Sequence, residues 1–155
     1  MIAAIWRIEK EKYAQEPFSG GGAYLYGGRW NHPGTKIVYA SQTLALAALE
    51  KFVHLESSAA VLKFVYFKVT VPGRVKIKTL DRSSLPSGWR DFPVPALTMD
   101  VGTKWARRNG SVLLRVPSTI IPVEHDYLIN PLHPDFHHLK ISKPIPFYFD
   151  SRLWK

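Results

Sequence analysis

The sequence predicts an α+β fold, a single compact domain spanning residues 1–155, built mostly from antiparallel sheets with few helices. Three observations carry that prediction. Only two segments have helical apolar spacing, and short apolar runs bounded by proline, glycine and asparagine recur along the rest of the chain. Nowhere do strands and helices alternate as a doubly wound parallel sheet requires. With 46% apolar residues in 155, the chain can bury one core but not two independent ones.

Taken in order, Ala4 to Ile8 reads as a short strand. Phe18 to Asn31, with Gly20, Gly21, Gly22, Gly27 and Gly28, reads as a long loop that function or packing must hold. Ile37 to Ala40 is a second strand, after which Ser41 is placed to cap a helix from Gln42 to about Leu55. That helix is apolar nearly all round at Leu44 to Leu49 and should be substantially buried. Val61 to Val71 and Arg74 to Lys78 read as paired strands joined by a turn at Pro72-Gly73, their lysines on the wet side. Arg82 to Pro95 is irregular. A second helix runs from Ala96 to Arg108 and stops near Asn109-Gly110, with Lys104, Arg107 and Arg108 suiting the negative end of its dipole. Ser111 to Val116 is a buried strand, and the prolines beyond it leave His138 to Ser142 and Phe147 to Phe149 as short strands.

The absence of cysteine excludes disulfides and cysteine-ligated zinc, and points to the cytoplasm. The first residues lack the layout of a signal peptide, and lysines break the longest apolar stretches well short of a membrane span. A formal net charge of +9 attracts phosphorylated ligands, nucleic acid or an acidic protein partner, and charge alone does not choose among them. A nucleic-acid module would need a basic stripe with exposed aromatics, and no RRM, KH or zinc-finger pattern accompanies the tryptophans.

Four residues stand out as candidates. Glu50 shares a helical stripe with Leu46 and Val53, which sets a carboxylate on or beside an apolar face, either as a boundary ion pair or as a catalytic group with a tuned pKa. Arg29, between Gly28 and Trp30, either stacks on the indole or clamps a phosphate. Tyr39 ends its strand as a core plug or as a flat face for a planar ligand. Ser118 follows a strand end, where its hydroxyl either makes a turn or orients a carboxylate. No GxSxG elbow, HExxH, P-loop or GxGxxG occurs in its usual setting, which excludes the usual hydrolase, zincin, NTPase and Rossmann sites. His133, Asp135, His137 and His138 lie in a proline-rich turn whose spacing does not suit a metal, and none is expected.

Several short motifs in a fixed order identify a family. Gly27-Gly28-Arg29-Trp30-Asn31, Val38-Tyr39-Ala40-Ser41, Leu46-Ala47-Ala48-Leu49-Glu50, Leu114-Arg115-Val116-Pro117-Ser118, Tyr127-Leu128-Ile129-Asn130-Pro131 with His133-Pro134, and Phe149-Asp150-Ser151-Arg152 together resemble the RES-domain toxins of bacterial toxin-antitoxin modules over nearly the whole chain. The arginine, glutamate and serine that name that family fall on Arg29, Glu50 and Ser118. Asp126 stands where the pattern has asparagine.

The resemblance implies a fold related to the ADP-ribosyltransferases and an attack on NAD as substrate, with no further cofactor. It implies cleavage of the nicotinamide-ribose bond with water or phosphate as acceptor, or alternatively ADP-ribosylation of a protein. It also implies an Xre-type helix-turn-helix antitoxin as partner, so that nucleic acid is met only through the antitoxin complex. On this view Glu50 stabilises the ribosyl cation, Arg29 anchors the diphosphate, Tyr39 stacks on nicotinamide or ribose, and Ser118 holds Glu50. Gly28, Trp30, Asn31 and Asn130 join Arg29 and Tyr39 in binding substrate.

Overall fold

The computed structural model describes residues 3–154; Met1, Ile2 and Lys155 lie outside them. Eight strands form one mixed, curled sheet: β1 (Ala3–Lys10), β2 (Val38–Ser41), β3 (Phe64–Val71), β4 (Ile77–Thr79), β5 (Leu113–Pro117), β6 (His125–Ile129), β7 (Lys140–Ile141) and β8 (Ile145–Phe147). Their order is β4-β5-β6-β2-β1-β3-β7, with β8 beside β7 on the same edge of β3. Every pairing is antiparallel except β4 with β5. Three helices accompany the sheet: α1 (Gly21–Tyr26), α2 (Leu44–Phe52) and α3 (Ala96–Arg108). This is the α+β class that the sequence predicts.

Strand alternation divides the side chains between two faces. Ile5, Val38, Ala40, Phe67, Val69, Leu113, Tyr127 and Ile129 build the larger core on one face. On the other, the register sets Trp6 opposite Ser41, Ser41 opposite Asp126, and Asp126 opposite Val116. There α2 packs Ala47 against Ile8 and Phe64, while α3 packs Trp105 with Trp30, Leu114, Val116 and Leu128. The space between these two helical packings is where the candidate site lies.

Several expectations need correction. Helix α2 begins later than expected, because Thr43, whose hydroxyl accepts from the Leu46 amide at 3.0 Å, caps it while Ser41 stays in β2. Only Leu46 and Ala47 of α2 are buried; Leu49 is exposed, so the helix lies on the sheet rather than inside the protein. The loop before Arg29 contains α1. The turn at Pro72-Gly73 exists, with the Val75 amide donating to the Pro72 carbonyl at 3.0 Å, but β3 and β4 do not pair. The chain crosses instead to the far edge, where β4 lies parallel to β5. The central strand β6 was not anticipated, since its first two residues are polar and prolines flank it closely. The exposed lysines of β3 and β4 and the limits of α3, which closes on left-handed Asn109 with φ 55°, agree with expectation.

Candidate active site

A cleft of about 660 Å³ opens on the face that carries Tyr39, Ser41 and Asp126, within the size range of small-molecule sites. Its walls include Gly28, Arg29, Trp30, Tyr39, Glu50, Lys51, His54 and Asp126. Glu50 enters from α2. Its Oε1 accepts the Ser118 hydroxyl at 2.6 Å, a short charge-assisted bond. Ser118 is fully buried just after β5, and its Oγ accepts from the amides of Ile120 and Ile121, each at 3.1 Å. The serine thereby ties the turn after β5 to the carboxylate.

Arg29 lines the same cleft. Its Nη1 donates to the carbonyls of Asp91 at 2.6 Å and Trp89 at 3.2 Å, and its other nitrogens make no hydrogen bond among the described residues. Partial burial lowers its pKa, while Glu50 and Asp91 oppose that shift. The loop that presents Arg29 is fixed onto α3: the His32 amide donates to Thr103 Oγ1 at 2.9 Å, and His32 Nε2 lies 2.6 Å from Asp100 Oδ1. Gly102 lets α3 approach so closely that a Cβ there would meet the Trp30 carbonyl.

Tyr39 lines the cleft beside that loop. Its hydroxyl donates to Asn31 Oδ1 at 2.6 Å and accepts from the Trp30 amide at 3.1 Å, and burial raises its pKa. A Cβ on Gly28 would lie 2.7 Å from that hydroxyl, so only glycine fits the contact. Arg7 and Lys51, which the sequence did not single out, add two cations to the wall. Arg7 donates to the carbonyls of Pro17 and Tyr39 and to Glu9 Oε2, while Lys51 lies 3.7 Å from Glu9 Oε1.

Arg29, Tyr39, Glu50 and Ser118 therefore converge, and Gly28 stands beside them. The remaining expected contacts are placed differently. Trp30 borders the cleft but is buried, tilted against Trp89 at 6.2 Å between ring centroids, rather than stacked under Arg29. Asn31 is wholly buried, and its amide donates to the carbonyls of Ala23, His32 and Thr35, so it holds the loop together. Asn130 faces a separate depression beside Tyr24 and Leu132, where it donates to the Ala106 carbonyl and Asn109 Oδ1. Their polar groups are spent on loop geometry, which a motif in sequence does not distinguish from ligand contact.

Asp126 is the cleft residue whose weight the sequence understated. It takes the Ser41 hydroxyl at 2.7 Å on Oδ1 and lines the cleft together with Glu50. Loss of solvent, followed by the nearby Glu50 carboxyl, pushes its carboxyl up to about 9. His133 caps the Asp135 amide, and among the described residues no three His, Asp or Glu side chains gather as metal ligands. Among them, too, no helix is long and apolar enough to cross a membrane.

The fold and cleft define a one-domain α+β protein in which two carboxyls and an arginine line one cleft. A profile of the RES domain matches residues 4–150, and the chain belongs to the RES domain family. It is 39% identical over 150 residues to Toxin Res of Yersinia enterocolitica serotype O:8 / biotype 1B, covering 96% of this chain and 98% of that protein. It is 38% identical over 157 residues to the Prs ADP-ribosylating toxin of Sphingobium sp. strain YBL2, covering 99% and 98%. Its fold matches a chain in the crystal structure of the M.tuberculosis MbcT-MbcA toxin-antitoxin complex, with a TM-score of 0.73 over 99% of this chain and 87% of that one, at 13% identity.

Proposed function

We propose that the protein is the toxin of a toxin-antitoxin module and acts by cleaving the nicotinamide-ribose bond of NAD, with water or phosphate as acceptor. The observation that carries this reading is the Ser118-held carboxylate of Glu50 in one cleft with Arg29 and Tyr39. In NAD the nicotinamide nitrogen is cationic. As the bond from it to ribose C1′ breaks, the electron pair returns to the ring, nicotinamide leaves neutral, and positive charge develops on the ribose. That step needs no strong acid. It needs a fixed negative charge near the ribose, stronger in a partly dry cleft than in water, and Glu50 supplies one. The acceptor oxygen then bonds to C1′; water loses its proton to solvent, whereas phosphate adds as the anion.

The free nitrogens of Arg29 are available to a diphosphate, with Arg7 and Lys51 adding positive potential, and the ring of Tyr39 offers a flat surface to nicotinamide or ribose. The partner is an Xre-type antitoxin that covers the cleft, and the site of action is the cytoplasm. A second reading, transfer of ADP-ribose to a protein acceptor, is favoured by the similarity to the toxin from Sphingobium, whose name describes ADP-ribosylation. Purified protein freed of antitoxin, incubated with NAD with and without phosphate and resolved by chromatography, tests the proposal. Nicotinamide with ADP-ribose, or with ADP-ribose 1″-phosphate when phosphate is present, is the expected result. Intact NAD contradicts the cleavage reading and leaves the protein-acceptor reading to be tested by labelled transfer.

A further inference from the structure

We propose that Tyr26 is the binding residue for the purine end of the substrate, a ring on which adenine stacks while Arg29 holds the diphosphate, so that the cleft selects a whole dinucleotide over its nicotinamide mononucleotide half. The inference rests on the NAD-cleaving reading of the cleft and deepens it by assigning the half of NAD that takes no part in the chemistry.

Elimination among the aromatic residues carries it. Trp6, Tyr26, Trp30 and Tyr39 line the cleft. Trp6 is engaged by Tyr66, 6.1 Å away between ring centroids, and by the Lys68 ammonium, 5.6 Å from its own centroid. Trp30 is buried against Trp89, and the Tyr39 hydroxyl is held by Asn31 and by the Trp30 amide. Tyr26 is different. Among the described residues it joins no aromatic pair and no cation sits over its ring, and it is 83% exposed. Of the four, it alone offers an open face to a ligand.

The backbone beneath that ring is fixed. Tyr26 is the last residue of α1, and the Gly27 amide closes the helix on the Ala23 carbonyl at 2.9 Å. Gly27 then turns the chain at φ 74°, in the left-handed region, where a Cβ would also lie 3.0 Å from Pro33. The Asn31 side-chain amide donates to the same Ala23 carbonyl at 3.0 Å, and the Gly34 amide to that of Tyr24 at 2.8 Å. On so pinned a backbone a tyrosine has only two side-chain torsions left to order when a second ring covers it. Position decides what that second ring is. Tyr26 stands three residues before Arg29, so their Cα atoms lie within about 11 Å of each other, a span that the adenosine ribose bridges. The other cleft residues from this segment are Gly22, Ala23, Gly27 and Gly28, which carry no charge and no side-chain hydrogen-bonding group. A neutral surface with one exposed ring takes a base by its face, and such stacking is tolerant of which base it is. With nicotinamide and its ribose at Tyr39 and Glu50, and the diphosphate at Arg29, the purine falls on the α1 side.

The test measures nicotinamide release from NAD, from nicotinamide mononucleotide and from nicotinamide hypoxanthine dinucleotide by the parent, Tyr26→Phe and Tyr26→Ala. The parent should favour NAD over the mononucleotide by at least about tenfold in kcat/KM and should use the hypoxanthine dinucleotide within a few-fold of NAD. Tyr26→Ala should raise KM for NAD about ten- to hundredfold with kcat little changed, and should leave kcat/KM for the mononucleotide as it was. Tyr26→Phe, which keeps the ring, should behave as the parent. An alanine variant equally impaired on NAD and on the mononucleotide, one unimpaired on both, or one matched by the phenylalanine variant overturns the proposal. Titration with ADP-ribose, which lacks nicotinamide, reads the purine contact without turnover. Binding at least about tenfold weaker in Tyr26→Ala than in the parent supports the contact even if NAD is not cleaved, in which case only the assigned reaction fails. Equal affinity for ADP-ribose in the two proteins, or no binding to either, overturns the inference whatever the activity.

Discussion

Ser118 makes three hydrogen bonds at once, to the Glu50 carboxylate and from two backbone amides of the following turn. Ser118→Ala therefore leaves two partly buried amides without an acceptor and releases the carboxylate, which should cost about 1–3 kcal/mol of stability. Its turnover should fall more than its affinity for NAD; thermal melting and steady-state kinetics separate the two effects. Arg29→Ala should leave the fold intact and weaken NAD binding by about ten- to hundredfold, the worth of a charged hydrogen bond, readable by calorimetric titration. Unchanged affinity would remove the diphosphate clamp. Sequence alone singled out Arg29, Glu50, Tyr39 and Ser118 with a structural and a functional reading open for each, and the family resemblance rather than local chemistry chose between them. It did not reach the weight of Asp126 or the place of Asn31, because an aspartate or asparagine reads alike whether it faces a cleft, a neighbouring carboxyl or its own loop.

The loop from Gly27 to His32 depends on two close approaches that only glycine permits. A methyl on Gly28 meets the Tyr39 hydroxyl at 2.7 Å, and one on Gly102 meets the Trp30 carbonyl. Gly28→Ala should displace the Tyr39 ring and cost about 1–3 kcal/mol, seen as a fall in Tm of several degrees; an unchanged Tm and unchanged kinetics would show that the contact yields freely. Among the elements, β1, β2, β5 and α3 were readable from apolar spacing and from their stop signals. The sheet order was not. Strand β4 lies beside β5 rather than β3, and the pairing of strands so distant in sequence leaves no local trace. Strand β6 escaped notice because its buried portion is only Tyr127 to Ile129, too short for alternation to register, although it forms the floor under Glu50.

The sheet as a whole carries a half-buried acid at the cleft, and its stability should record that. Asp126 is raised from its ordinary 3.8 to about 9 in the folded protein, so between those values the folded state holds a proton that the unfolded chain has released. Stability therefore falls as pH rises through that window. Asp126→Asn should flatten this decline, making the variant progressively more stable than the parent towards pH 9 in urea titrations; parallel pH profiles would contradict the raised pKa of Asp126. The net charge of +9 suits an acidic partner and a diphosphate equally, so the cleft rather than the charge specifies the chemistry. The measurement that bears most directly on it is nicotinamide release by the parent and by Glu50→Gln at saturating NAD, with binding of NAD to each measured alongside. Turnover about 10²–10³-fold lower in the variant, with affinity for NAD retained, is the predicted result. Equal turnover in the two proteins would remove Glu50 from the reaction and with it the proposed mechanism.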